Sequence, residues 1–238
     1  MKIKNVILTI VVSSTFYNCK PQEPKIDLNK DVLGKQISEV QKNKAKFADS
    51  DFIPNYNYGG KQIYLQNIFG FDGLNFSGSV KEEKKLGKNK VNFIYSKADS
   101  VVSMFQLSVY QTDKTKLLEN HLNELLGEPS FTGFSLSDGK LDTLNYSHKV
   151  WEDQKNNRTY FFEVKRNTVI YQTEVETASV TVIDNSEEFL IDWYASAGFA
   201  YWGDFLDYRK RFKTSEYTYK EFLNEPRAAS DYHKQTTQ

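Results

Sequence analysis

DKTKLLENHLNELLGEP, residues 113–129, reads as one helix with its stop signal attached. Leu118, Leu122, Leu125 and Leu126 recur at three- and four-residue intervals, so they form one apolar stripe on a 3.6-residue helix. Thr112 or Asp113 stands where a side chain caps the first turn. Gly127 is a natural C-cap, because glycine enters the left-handed conformation cheaply, and Pro129 follows it. The spacing therefore predicts a helix over Asp113–Leu126, with new structure starting beyond the proline.

On both sides of that helix the apolar period falls to two, the mark of strands. Upstream, strands are expected over Gln62–Phe69, Leu74–Lys81, Lys90–Ser96 and Val101–Tyr110. KEEKKLGKN is the tip of a hairpin, and Asp99-Ser100 is a turn. Downstream, strands are expected over Phe131–Leu136, Asn145–Asp153, Arg158–Lys165, Thr168–Glu176 and Ser179–Asp184. Turns fall at Gln154–Asn157 and at Arg166-Asn167. A shorter helix is predicted over Asp31–Lys46, from Leu33, Ile37 and Val40. Ser50–Gly60, with Pro54 and a Gly59-Gly60 pair, reads as a loop.

The C-terminal part differs. Asp184-Asn185-Ser186-Glu187 suits a helix start. In Glu188–Phe212 (EFLIDWYASAGFAYWGDFLDYRKRF), Leu190, Trp193, Tyr194, Ala197, Tyr201, Phe205 and Tyr208 approximate helical spacing, interrupted by Gly198 and Gly203. Ser215–Leu223 is a further short helix. The fold class that follows is α+β. It is a mainly antiparallel sheet with two short helices before successive strand sets and an aromatic helical C-terminal segment.

The chain has 238 residues, with 31 Lys+Arg against 31 Asp+Glu, so no basic excess points to nucleic acid. Its 15 Tyr and 17 Phe suit a sheet-rich domain. At the N-terminus, Lys2 and Lys4 precede a short apolar run, Val6–Val12, and then Ser13, Ser14 and Thr15. The run is far shorter than the roughly 20 apolar residues of a spanning helix and matches a secretory signal. Cys19, the only cysteine, follows Phe16, Tyr17 and Asn18.

This start resembles bacterial lipoproteins, whose lipobox ends in an invariant cysteine. Phe16 and Asn18 stand where that box usually carries an aliphatic and a small residue. The resemblance implies cleavage after Asn18, acylation of Cys19 and a membrane anchor for the mature chain. Two or three acyl chains at about 0.8 kcal/mol per buried methylene hold firmly. Acylation of Cys19 also removes thiolate chemistry and cysteine-based zinc sites from the domain. Lys20 after the cysteine favours the outer membrane of the cell envelope. The expected organisation is a signal peptide (1–18), a lipidated cysteine and tether (19–30), an α+β domain (31–226) and a polar tail (227–238). The domain divides in one reading into modules 31–112 and 113–185 plus a helical segment 186–226.

The order helix, strands, helix, strands, with the LGEP turn, also resembles tandem helix-plus-sheet modules of the β-lactamase-inhibitor-protein type. That resemblance implies architecture; function lives in a site, not a fold.

Catalytic signatures are missing. There is no GxSxG, Walker loop, HExxH, GxGxxG or EF-hand loop. His121, His148 and His233 lie at no ligand spacing from one another, so no metal or cofactor is expected. Asp49-Ser50-Asp51 is a loop acid pair, and Glu152-Asp153 beside Trp151 suits a sugar site or simply a polar strand end. Asp99-Ser100-Val101 and Asp142-Thr143-Leu144 resemble bacterial O-glycosylation acceptors. Trp151, Trp193, Tyr201 and Trp202 are the candidate binding surface. They can stack on a glycan or fill a partner's groove, or they can be core. The leading expectation is a non-enzymatic, membrane-anchored module that binds a protein or a glycan. An inhibitor or immunity protein is the second, and a glycan-acting hydrolase the third.

Overall fold

A computed structural model describes residues 26–42, 46–65, 69–81, 84–133, 135–137, 140–142 and 146–225. The signal segment, Cys19, most of the tether, His233, Thr143-Leu144 and the polar tail lie outside the described residues. In chain order the elements are β1 (Ile26–Asp27), α1 (Leu28–Asp31), α2 (Ile37–Gln41), β2 (Ala48–Asp49), β3 (Tyr58–Tyr64), β4 (Phe69–Phe71), β5 (Leu74–Asn75), β6 (Lys90–Ser96) and β7 (Val102–Val109). Then come α3 (Thr112–Leu126), β8 (Phe131–Gly133), β9 (Ser135–Ser137), β10 (Lys140–Asp142), β11 (Tyr146–Asp153), β12 (Arg158–Ile170), β13 (Thr173–Asp184), α4 (Glu188–Gly198), α5 (Ala200–Phe212) and α6 (Tyr219–Asn224).

Eight strands form one sheet in the order β2-β3-β6-β7-β13-β12-β11-β8, with every neighbouring pair antiparallel. The strand sets before and after α3 thus meet in a single α+β sheet, joined where β7 pairs with β13. Alternation along each strand gives the sheet two different faces. One buries Val91, Phe93, Phe105, Leu107, Phe162 and Val180 against α1, α2 and the Leu118–Leu122 stripe of α3. The other buries Ile94, Met104, Phe161 and Ile183 under Leu190, Tyr194, Trp202, Phe205 and Phe222 of the C-terminal helices. No helix among the described residues is long and apolar enough to cross a membrane.

Several expectations are corrected by tertiary geometry. Of the helix expected over Asp31–Lys46 only α2, Ile37–Gln41, forms among the described residues, and α1 ends at Asp31, where that helix was to begin. Gly34 takes φ 78° and donates its amide to the Val102 carbonyl at 2.9 Å, so the chain leaves helical geometry there. Gly59-Gly60 is not loop but lies inside β3. Gly59 opposes Tyr95, and a Cβ on it would sit 2.3 Å from the tyrosine ring, so the missing side chain gives the ring its place. The hairpin expected between Leu74–Lys81 and Lys90–Ser96 shrinks to one bridge, Ser79 to Lys88, because β6 takes β3 as its partner.

The three last strands are two long ones. Arg166-Asn167 is a bulge within β12, with Asn167 at φ 58°, rather than a turn. The chain reverses at Tyr171-Gln172, where φ values of 51° and 65° give the primed turn that matches strand twist. α3 begins at Thr112 behind Gln111, and neither Thr112 nor Asp113 occupies the cap; Thr112 instead accepts the Glu176 amide at 3.0 Å. Asp184 accepts from the Ser186 amide, and Glu187 occupies the α4 cap position without a capping bond from its side chain. The aromatic segment breaks at Phe199, between α4 and α5, while Gly203 stays helical.

Candidate functional site

Antiparallel register places directly opposed residues on the same face of a sheet. Following the pairs across the sheet from Tyr64 gives Lys90, Ser108, Ser179, Glu163 and His148 in one line. This row crosses six strands on the face that carries the C-terminal helices. At about 4.8 Å per strand it runs for about 24 Å. None of its side chains belongs to the aromatic cluster beneath those helices. Ser108 is buried, and the other five are half-buried.

A second polar row backs the first. Gln62, Asn92, Gln106 and Thr181 are opposed in register one step nearer the helices. They bond to one another and to α4: Asn92 donates to Gln106 at 3.3 Å, and Gln106 donates to Thr181 and to the Tyr194 hydroxyl, both at 3.2 Å. Ser50 donates to Asn92 at 3.2 Å. These bonds fix the floor, so the outer row stands on a preset support.

The two ends of the outer row carry different charge. At one end Glu163 meets His148 at 3.4 Å and Lys165 at 3.1 Å, and the His148 ring lies 5.0 Å from Phe199. Burial pushes the Glu163 carboxyl up, but the hydrogen bond from His148 and the charges of Lys165 and His148 outweigh it and hold it at about 2. One strand in from the other end, Lys90 donates to the neutral Gln62 oxygen at 3.2 Å, its one side-chain hydrogen bond among the described residues. Burial pushes its ammonium down. Tyr110 stands two residues beyond Ser108, whose hydroxyl it meets, and burial pushes its phenol up.

Glu163 carries a prediction. A carboxyl depressed by folding stabilises the native state above its unfolded value and loses that contribution as pH falls. The window runs from 4.5 down to about 2, and the contribution at neutral pH is at most about 3 kcal/mol. Glu163→Gln is expected to lose this stability at pH 7 and to flatten the fall of the urea midpoint across that window. An unchanged acid slope would show that Glu163 does not carry it.

The residues singled out from sequence separate rather than converge. Trp151 lies on the opposite face from the other three, 2% exposed, and donates its indole N–H to the Gly127 carbonyl at 2.9 Å. Trp202 is fully buried. Both are core in this structure, because each fills the angle between a strand and the helices packed on it. Trp193 and Tyr201 are half-buried on α4 and α5, with Trp193 5.4 Å from Phe52. The four therefore make no common surface.

The loop and strand-end acids have internal partners. Glu152 takes both guanidinium nitrogens of Arg209, at 2.6 and 3.1 Å, and Asp153 caps the turn at Asn156. Asp49 pairs with Lys61 at 2.6 Å, and His121 with Asp72 at 3.1 Å. In the cleft beside Tyr56 and Lys97, Glu187 accepts from Tyr58 at 3.1 Å and Ser103 at 2.9 Å. Among the described residues no three His, Cys, Asp or Glu side chains are placed to hold a metal.

Sequence reasoning missed five members of the row and set His148 aside for want of a spaced partner. The available signal was local: Lys90 and Asn92 alternate with Val91 and Phe93, which marks a sheet face left polar. Compared with known proteins, the chain matches no family model, no curated protein and no solved structure.

Proposed function

We propose that this protein is a cell-envelope lipoprotein, acylated at Cys19, whose domain binds an extended polar ligand along the row from Tyr64 to His148. The observation that carries the reading is that row: six polar side chains in register across six strands, five half-buried and Ser108 buried, and none in either core cluster. Burying polar groups costs free energy unless they are hydrogen-bonded, so a polar line in a sheet face suits a ligand that brings its own hydroxyls. A saccharide of four or five units spans about 24 Å at roughly 5 Å per unit, the spacing of the strands themselves. The phenol of Tyr64 offers a stacking surface, and Ser108, Ser179 and Glu163 offer donors and acceptors.

The row contains one carboxylate, Glu163, and it is already engaged. Paired-acid glycoside hydrolysis uses two. Binding is therefore the better-supported role. The anchor rests on the charged, short-apolar, cysteine-terminated start of the chain, which suits tethering of the domain to a membrane.

The test uses the full chain in lipid nanodiscs, titrated calorimetrically with tetra- to hexasaccharides of envelope polymers. Tyr64→Ala and Ser179→Val should each weaken binding about 10-fold, the share of one stacking or hydrogen-bonding contact, with melting temperatures held. A panel that binds nowhere, or binding indifferent to both variants, overturns the row. For the anchor, radiolabelled palmitate should enter the wild type and not Cys19→Ala; a label retained in the variant overturns acylation at that position.

A further inference from the structure

Lys90, one strand in from the Tyr64 end of the row, has an arrangement the rest lacks. Its ammonium is half-buried, and among the described residues it faces no carboxylate within ion-pair distance; its one side-chain hydrogen bond is to the neutral Gln62. At the far end of the row the charged groups are paired, Glu163 with Lys165 at 3.1 Å and with His148 at 3.4 Å. Around Lys90 stand three hydroxyls. Tyr64 opposes it on one flanking strand and Ser108 on the other. The Tyr110 phenol meets Ser108 and lies close enough to Tyr64 for their charges to interact. A lysine that merely covers apolar surface runs its stem along the core and lifts its head into water. Lys90 instead sits in the interior of the ladder with hydroxyls on both sides.

Resting on the reading of the row as a saccharide site, we infer that Lys90, with Tyr64, Ser108 and Tyr110, binds a singly charged acidic substituent of that saccharide, either a uronate carboxylate or a sulfate ester. The charge count favours a monoanion: one ammonium balances one negative charge, and the three hydroxyls add neutral donors. A dianionic phosphate would leave a charge unpaired in a half-buried place, which is costly. The asymmetry also gives the ligand a direction, with its acidic unit at the Lys90 end and its neutral hydroxyls toward Glu163. An acid unit at the other end would meet the carboxylate of Glu163.

Three probes of one length separate the sources: a galactan tetrasaccharide with one terminal galacturonate, the same molecule with that carboxyl reduced to an alcohol, and a singly sulfated galactan tetrasaccharide. The full chain in nanodiscs is expected to bind at least one acidic form about 10-fold or more tighter than the reduced form, as one charge-assisted contact requires. Lys90→Met, which keeps the stem, should erase that preference, so that the acidic and reduced forms bind alike. Lys90→Arg should restore it in part, and added salt should shrink it. Equal binding of acidic and reduced forms by the wild type overturns the Lys90 assignment and leaves the row standing. Preference retained in Lys90→Met overturns it as well. Binding of none of the three overturns the row and the subsite together. Melting curves of both variants guard against loss of fold.

Discussion

Trp202→Ala is expected to lower the stability of the folded chain by about 4 kcal/mol, in the range for large-to-small truncation of a buried aromatic. Trp202 is fully buried and joins three elements. Its ring lies 5.8 Å from Phe131 of β8, 4.8 Å from Phe205 of α5 and 6.0 Å from Tyr219 of α6. Removing the indole leaves a void that those rings can close only by moving helices. Trp202→Phe should cost much less, about 1–2 kcal/mol. The indole N–H finds no acceptor among the described residues, and phenylalanine removes that unpaired donor along with part of the volume. Urea melts of the two variants check this. A Trp202→Ala protein that melts like the wild type but loses its ligand would make the residue a binding anchor and sink the core assignment.

The same tryptophan shows where reading from sequence stops. The segment from 188 to 212 was legible as aromatic helix because its period is local. Whether its rings meet a partner or the sheet is a tertiary fact. α3 was legible almost to the residue at its C-terminal end, since a leucine period and Gly127 both act within a turn or two. Even there, the four expected leucines divide: Leu118 and Leu122 are buried and Leu125 is 40% exposed, because the stripe meets the sheet over only part of its width. The hairpin at Tyr171-Gln172 was missed because its residues are not the usual choice for positive φ, whereas Arg166-Asn167 carries the asparagine that suggests a turn. There the ladder absorbed the asparagine as a bulge.

The candidate site was less legible still, for a simple reason. Its six residues come one from each of six strands, at positions 64, 90, 108, 179, 163 and 148. No window of sequence contains two of them at a diagnostic spacing. What joins them is register, and register here depends on β7 pairing with β13, strands some seventy residues apart in the chain. Candidate residues chosen by type fared differently. Tryptophans stand out in a sequence and are as often core as surface. Lys90 and Ser179 do not stand out at all.

Trp151 gives the complementary experiment, because there the polar end of the indole has a partner. Its N–H donates to the Gly127 carbonyl at 2.9 Å, and Gly127, at φ 74°, closes α3. The ring meets Phe162 edge-on at 6.4 Å. One side chain thus ties the end of a helix to the centre of β11. Trp151→Ala should cost about 4 kcal/mol, from lost burial and the cavity left behind. Trp151→Phe keeps most of the apolar packing but loses ring volume and the bond to the Gly127 carbonyl, which lies at an exposed residue that water reaches, so it should cost roughly 2–3 kcal/mol. The order of the two phenylalanine variants is therefore set: Trp151→Phe falls further than Trp202→Phe although both residues are buried. Hydrogen exchange supplies an independent reading, since the Gly127 amide closes the last turn onto the Asn123 carbonyl. Loss of the indole bond should speed exchange there while amides in the middle of α3 keep their protection. Equal costs for the two phenylalanine variants, with the α3 terminus still protected, would mean that the Trp151 bond adds nothing to the fold and that its ring alone holds the helix to the sheet.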